Sequence, residues 1–221
     1  MSCGWDFISE VGLQFFGKVT ASISHEIKNA LAIINENAGL LEDFALMAGK
    51  GKPIDPERLE ILAEKITKQI RRADGIIKNM NTFAHSVDES VKRIDLGETL
   101  QIVALLSHRF ASIRGVSLEP SPSPRPVMIT TNPFFLKTLV WLCLDFAMDA
   151  AGENKCVGLM AEEAENGARI RITKLAGLKE VPLDTFPSEQ QKAMLSALSA
   201  KLAADVEDGE IMITLSKNMD A

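Results

Sequence analysis

Ser24-His25-Glu26-Ile27-Lys28-Asn29 lies in the middle of a long amphipathic helical pattern. A helix advances about 100° per residue, so Phe16, Val19, Ile23, Ile27, Ala30, Ile34, Ala38 and Leu41 gather on one face. His25 falls roughly opposite the centre of that stripe, with Lys18, Ser22, Asn29 and Glu36 around it. An apolar stripe of this width faces a core, so His25 is expected to face water, beside Glu26 and one turn before Asn29. A lone surface histidine is unremarkable. An exposed imidazole with a neighbouring carboxylate is equipped for proton transfer or phosphoryl chemistry.

Outward from this run, the first helix is expected from about Phe7 to Met47. Gly49-Lys50-Gly51-Lys52-Pro53 then breaks it, because glycine favours turns and proline cannot continue a helix. This segment is not a phosphate-binding P-loop. The Gly-x4-Gly-Lys-Ser/Thr spacing is absent and no strand precedes it. Asp55-Pro56 suits an N-cap and first turn. Beyond it Leu59, Leu62, Ala63, Ile66, Ile70, Ala73, Ile77, Met80 and Ala84 repeat at steps of three and four to about Val87. Two such helices form an antiparallel hairpin. A hairpin alone covers each stripe only in part, whereas two hairpins across a twofold axis bury both in a four-helix bundle. A homodimer is therefore expected.

The run at residues 24–31, completed by Ala30-Leu31, resembles the H-box of bacterial two-component histidine kinases, Ser-His-Glu-ϕ-Lys-Asn followed by Pro-Leu. It departs only in having Ala30 in place of the proline. The resemblance implies that residues 1–90 are a dimerisation and histidine-phosphotransfer hairpin. His25 would carry a phosphoryl group on a ring nitrogen, and Glu26 would orient the imidazole and accept its proton. Asn29 would stand where the family positions water for hydrolysis of a partner's phospho-aspartate. The implied partners are response-regulator receiver domains.

Bulk properties narrow the alternatives. The 221 residues are 46 % hydrophobic and 24 % charged, enough for a proper core and not disordered. Net charge is −6, with the acidic surplus equal in residues 1–90 and 91–221, and no basic patch points to nucleic acid. Cys3, Cys143 and Cys156 have no metal-like spacing and read as buried thiols of a reducing compartment. No apolar run approaches the roughly 20 residues of a membrane span. The first residues also lack a basic stretch followed by an apolar one. A cytoplasmic protein with no membrane contact is expected. His85 and His108 read as structural or solvated, and Arg71-Arg72 as a solvated face, although the arginines suit an acidic receiver surface. Met47, Met80 and Met148 read as core fillers.

After residue 90 the pattern changes to mixed α/β. A helix is expected over Asp95–Arg114, with strands near Val116–Glu119 and Val127–Thr130, separated by Pro120-Ser121-Pro122-Ser123-Pro124. Asn132-Pro133 opens a helix to about Ala151, residues 155–162 and 168–174 form a hairpin, and Ser188 opens a helix to about Ala204. Glu210–Ser216 alternates as a last strand. Three helices and about five strands make a two-layer α/β sandwich, and the chain as a whole is α+β.

This order is similar to the ATP-binding domain of histidine kinases, with Arg93-Ile94-Asp95-Leu96 like its lead-in and Ala147-Met148-Asp149-Ala150 like its N-box Asn-Ala-ϕ-Asp-Ala. On that anchor the magnesium-binding asparagine becomes Phe146 and its partner one turn earlier Leu142. A one-residue slip offers Asp145 but places Trp141 at the earlier position. The adenine-binding Asp-x-Gly-x-Gly turn, aligned on Gly177, has Thr173 and Leu175 in place of its Asp and first Gly. The lid, Lys174 to Pro187, holds one glycine, and Leu195-Ser196-Ala197-Leu198 replaces the Gly-x-Gly-Leu-Gly run. Phosphate needs close backbone N–H groups and magnesium needs oxygen ligands. No nucleotide and no resident metal are expected. An intact H-box beside a degenerate ATPase-like domain resembles bacterial histidine phosphotransferases, which shuttle phosphoryl groups between receiver aspartates, with Mg²⁺ supplied by the receiver. A non-enzymatic dimeric regulator, a receiver phosphatase using Asn29, and last an atypical kinase are the alternatives.

Overall fold

The computed structural model describes the backbone of residues 2–219 and the side chains of residues 8–219. The chain resolves into two compact units, one of residues 20–82 and one of residues 1–19 with 83–221.

Residues 20–82 are a helical hairpin. The first helix, α1 (Ser2–Gly49), runs 48 residues. It closes where Gly51 takes a φ of +76° and Lys52 N–H donates to the Met47 carbonyl across 3.1 Å. This left-handed closure is open to glycine at little cost. The second helix, α2 (Pro56–Ala84), starts as expected: Asp55 Oδ1 accepts from Glu57 N–H at 3.0 Å and Pro56 fills the first position.

The half of α2 that turns inward is Leu62, Ile66, Gln69, Ala73, Ile76 and Met80, buried or half-buried at steps of four and three. Ile70 and Ile77, which the sequence places on the apolar stripe, stay 54 % and 46 % exposed. On α1, Ala30 is buried and Ile23, Ile27, Ile34, Ala38 and Leu41 are half-buried. Leu31 and Leu46 are exposed, as is Met47, which the sequence assigns to the core. Met47 lies in the last turn before the hairpin loop, where little chain is left to cover it.

The other unit is an α/β sandwich. In chain order it contains β1 (Lys92–Asp95), α3 (Leu96–Ile113), β2 (Ser117–Pro120), β3 (Met128–Thr131), α4 (Pro133–Asp149), β4 (Cys156–Ala164), β5 (Gly167–Thr173), α5 (Glu189–Ala197), β6 (Lys201–Asp205) and β7 (Glu210–Ser216). Five strands form a sheet in the order β2-β4-β5-β7-β6, with β2 parallel to β4 and the other pairs antiparallel. β1 and β3 pair antiparallel as a separate ribbon.

The alternation expected in β5 is present. Ala168, Ile170 and Ile172 are buried, in register with Ala161 and Leu159 of β4 and with Leu215, Ile213 and Ile211 of β7. The helices α3 and α4 pack on β4, so the sandwich has one helical layer. The start of α1 and the end of α2 belong to this unit. Phe15 stacks on Trp141 of α4 at 4.7 Å and meets Phe83 edge-on at 4.9 Å.

Two expectations need correction. Residues 201–204, read as the end of the last helix, belong to strand β6 (Lys201–Asp205). That helix stops at Ala197, where Ala200 N–H donates to the Leu195 carbonyl at 2.9 Å and Ser199 adopts φ +49°. Alanine-rich sequence favours helix, but the exposed edge of β7 offers a ladder of backbone partners, and pairing wins. The second correction is β1, whose Arg93-Ile94-Asp95 the sequence reads only as resembling the entry into the second domain, with Asp95 opening the helix. Its register with β3 supplies partners that no local pattern announces.

Candidate functional site

His25 is exposed on the hairpin unit, as its position opposite the stripe requires. Asn29, one turn on, brings its amide Nδ2 to 3.2 Å from the imidazole Nδ1. Which of the two groups donates is set by the ring tautomer and the amide orientation. Glu26 is rotated toward α2, and its side chain is only 19 % exposed. There Arg72 places Nη2 3.7 Å from Glu26 Oε2. The three residues singled out in the sequence therefore sit together, each with a different environment: a wet imidazole, an amide on the ring, and a half-sunk carboxylate tied to the second helix.

Arg72 was read in the sequence as solvated face. Its pairing depends on the hairpin register, which one helix pattern alone does not contain. Helical periodicity does place Arg72 one turn from Gln69, an inward position of α2. His85 and His108 are solvent-exposed, and His85 Nδ1 lies 2.8 Å from Asp88 Oδ2.

In the sandwich unit the residues that the sequence resemblance set against the kinase nucleotide motifs make contacts of their own. Phe146 stacks on Phe186 of the lid segment with centroids 4.1 Å apart. Asp145 accepts a hydrogen bond from Arg114 at 2.9 Å, and the same guanidinium reaches Asp149 at 3.2 Å. Trp141 and Leu175 are buried.

Gly177 lies against the end of α4. Its N–H donates to the Ala150 carbonyl at 2.9 Å, and a Cβ there would stand 3.2 Å from that oxygen and from Gly152 Cα. A backbone packed this tightly leaves no gap between the loop and the helix. Among the described residues no three or more His, Cys, Asp or Glu side chains converge as a metal site.

The cysteines separate in character. Cys143 is fully buried, and burial pushes its thiol up to about 12, so it is inert as a nucleophile. Cys156, expected to be buried, is half-exposed because it begins β4 beside Lys174, whose Nζ is 3.7 Å from its sulfur. The side chain of Cys3 lies outside the described residues. Lys137 on α4 is 5 % exposed, and burial, with Lys92 nearby, lowers its ammonium to about 8.

Residues 17–89 match the family model of the His Kinase A (phospho-acceptor) domain. Over that segment the chain is histidine kinase-like. No curated protein matches the chain. Solved structures that align with it include the nucleotide-free catalytic domain of histidine kinase ThkA. That alignment has 12 % identity and a TM-score of 0.48, covering 60 % of this chain and 100 % of that one. The Acinetobacter baumannii histidine kinase AdeS aligns at 12 % identity and TM-score 0.47, covering 87 % and 98 %. ThkA in complex with the response regulator protein TrrA aligns at 19 % identity and TM-score 0.44, covering 93 % and 63 %. Among the described residues no helix is long and apolar enough to cross a membrane.

Proposed function

We propose that this chain is a homodimeric histidine phosphotransfer protein of a two-component phosphorelay, in which His25 exchanges a phosphoryl group with receiver-domain aspartates and no nucleotide is bound. The observation that carries the reading is His25 itself. It is an exposed imidazole with Asn29 at 3.2 Å and Glu26 next in sequence, inside a segment that matches a phospho-acceptor domain. Residues 1–90 act as the dimerisation and phosphotransfer part, and residues 91–221 help dock the receiver.

In the transfer a ring nitrogen of His25 attacks the phosphorus of a receiver acyl phosphate in line. A P–N bond forms as the P–O bond breaks, and the departing aspartate takes the electron pair. The ring keeps its N–H on the other nitrogen, and the carboxylate of Glu26, next in sequence, offsets the new positive charge or accepts the proton. The Mg²⁺ that neutralises the phosphoryl oxygens comes with the receiver, so this chain contributes chiefly positioning.

The absence of nucleotide from the reading is supported by the Phe146–Phe186 stack and by the Asp145 carboxylate committed to Arg114. The protein works in the cytoplasm, with no nucleic-acid or membrane partner.

Two assays test the proposal. Purified protein is offered labelled Mg-ATP in one and a panel of receiver domains, phosphorylated with acetyl phosphate, in the other. Acid-labile label on His25 is expected only from the receivers. Saturable ATP binding below about 100 µM, some 5 kcal/mol of affinity, would revive the kinase reading. Tight receiver binding with no label from any receiver would favour the non-enzymatic regulator. Faster loss of receiver phosphate without label on His25 would favour the phosphatase.

A further inference from the structure

The phosphotransfer reading assigns Glu26 a role beside the imidazole, and within the hairpin unit the group that reaches Glu26 comes from the other helix. Arg72 Nη2 lies 3.7 Å from Glu26 Oε2. The glutamate side chain is 19 % exposed and the arginine side chain 47 %. A carboxylate at that depth has lost much of its hydration, and a nearby cation offsets part of that loss. The arginine, rooted in α2 and open to water at its far side, supplies the charge without being sunk itself.

On the same turn of α1, Asn29 holds the ring at Nδ1. The imidazole and the carboxylate are thus tethered separately, one within α1 and one across the hairpin. A glutamate has three side-chain torsions, and without a tether its carboxylate would spend much of its time turned into water.

We infer that Arg72 is a positioning residue for phosphoryl transfer. Its guanidinium fixes where the carboxylate of Glu26, the residue next to His25, is held, so a cation at position 72 is required for full transfer rate and not for folding. The inference rests on the phosphotransfer reading. It follows from magnitude as well as geometry. An ion pair with one partner half-exposed contributes little to stability, whereas small displacements of a group acting on the reacting ring change rates strongly.

The step itself is unchanged by Arg72. The P–N bond still forms as the P–O bond breaks, and the arginine neither gives nor takes a proton. Its effect is on how often Glu26 is in place when the ring becomes cationic.

The test uses the full chain and whichever acetyl-phosphate-charged receiver labels it fastest, followed in single turnover. Arg72→Gln is expected to slow transfer about tenfold with the half-saturating receiver concentration unchanged, while the circular dichroism spectrum and oligomeric state stay as in the parent. Arg72→Lys should recover most of the rate, because a cation returns. Glu26→Gln should slow transfer, and adding Arg72→Gln to it should slow it no further, since both act through one carboxylate. A rate for Arg72→Gln within twofold of the parent overturns the inference and leaves phosphotransfer standing. So does a double variant in which the two effects multiply. A parent chain that takes no label from any receiver overturns both.

Discussion

At the scale of single residues, the chemistry proposed for this hairpin divides among three side chains, and substitution should separate them. His25→Ala is expected to abolish acid-labile labelling while the protein keeps its oligomeric state, because the ring lies on the wet side of α1. Asn29→Ala should chiefly reduce any loss of receiver phosphate to water, which needs an oriented water molecule that transfer does not. Labelled gels and phosphate release read the two outcomes apart. If His25→Ala still takes label, the acceptor has been misassigned.

A different residue governs pH dependence in the sandwich unit. Buried Lys137 titrates near 8 when folded, against 10.5 for a free lysine. Below about pH 8 both states are protonated and the folded state bears the full cost of a desolvated ammonium. Between 8 and 10.5 the unfolded chain binds more protons, so this contribution to stability improves as pH rises. Lys137→Met should therefore raise the thermal midpoint by about 3 °C or more at pH 7 and by much less at pH 10, as calorimetry would record. An equal gain at both pH values would remove the electrostatic explanation.

At the scale of elements, most helix boundaries follow from capping chemistry visible in the sequence. Asp55-Pro56 starts α2, Asn132-Pro133 starts α4, and Ser188 with Gln191 forms a reciprocal capping box at α5. Asp95 does more than its helical reading implies. Its Oδ1 accepts from Gly97 N–H at 2.9 Å, capping α3, and from Val127 N–H at 3.2 Å, bracing the segment before β3. Asp95→Ala should cost about 1–2 kcal/mol in denaturant unfolding, with Asp95→Asn restoring part of it, since an amide oxygen still accepts.

The misread element is instructive in the same way. Lys201–Asp205 has helical composition but no partner on its own. It becomes β6 because β7 presents an unpaired edge. Local propensity is a few tenths of a kcal/mol per residue, and a row of backbone hydrogen bonds exceeds it.

At the scale of the whole molecule, the exposed apolar residues of the hairpin support the proposed dimer. Ile70 and Ile77 on α2 stay exposed in the single chain, although their spacing belongs to an apolar stripe, and Leu31 on α1 is exposed as well. Since Ile70 lies outside the hairpin's own seam, Ile70→Asp with Ile77→Asp should give folded monomers with native helix content. Sedimentation velocity at micromolar concentration would show the change. A parent chain that sediments as a monomer, or a double variant that stays dimeric, would count against the four-helix bundle.

The sequence by itself determined the two long helices, their joining loop, the exposure of His25 and the grouping of Glu26 and Asn29 with it. All of these depend on contacts within one or two helical turns, where a fixed rotation per residue turns spacing into geometry. Only the tertiary structure decided that Arg72 meets Glu26, that Phe186 covers Phe146, that Cys156 is half-open while Cys143 is sealed, and that residues 201–205 are a strand. Each of these pairs residues far apart in the chain, through helix register, loop closure or sheet edge. Nothing in the local pattern encodes a partner that only folding brings near.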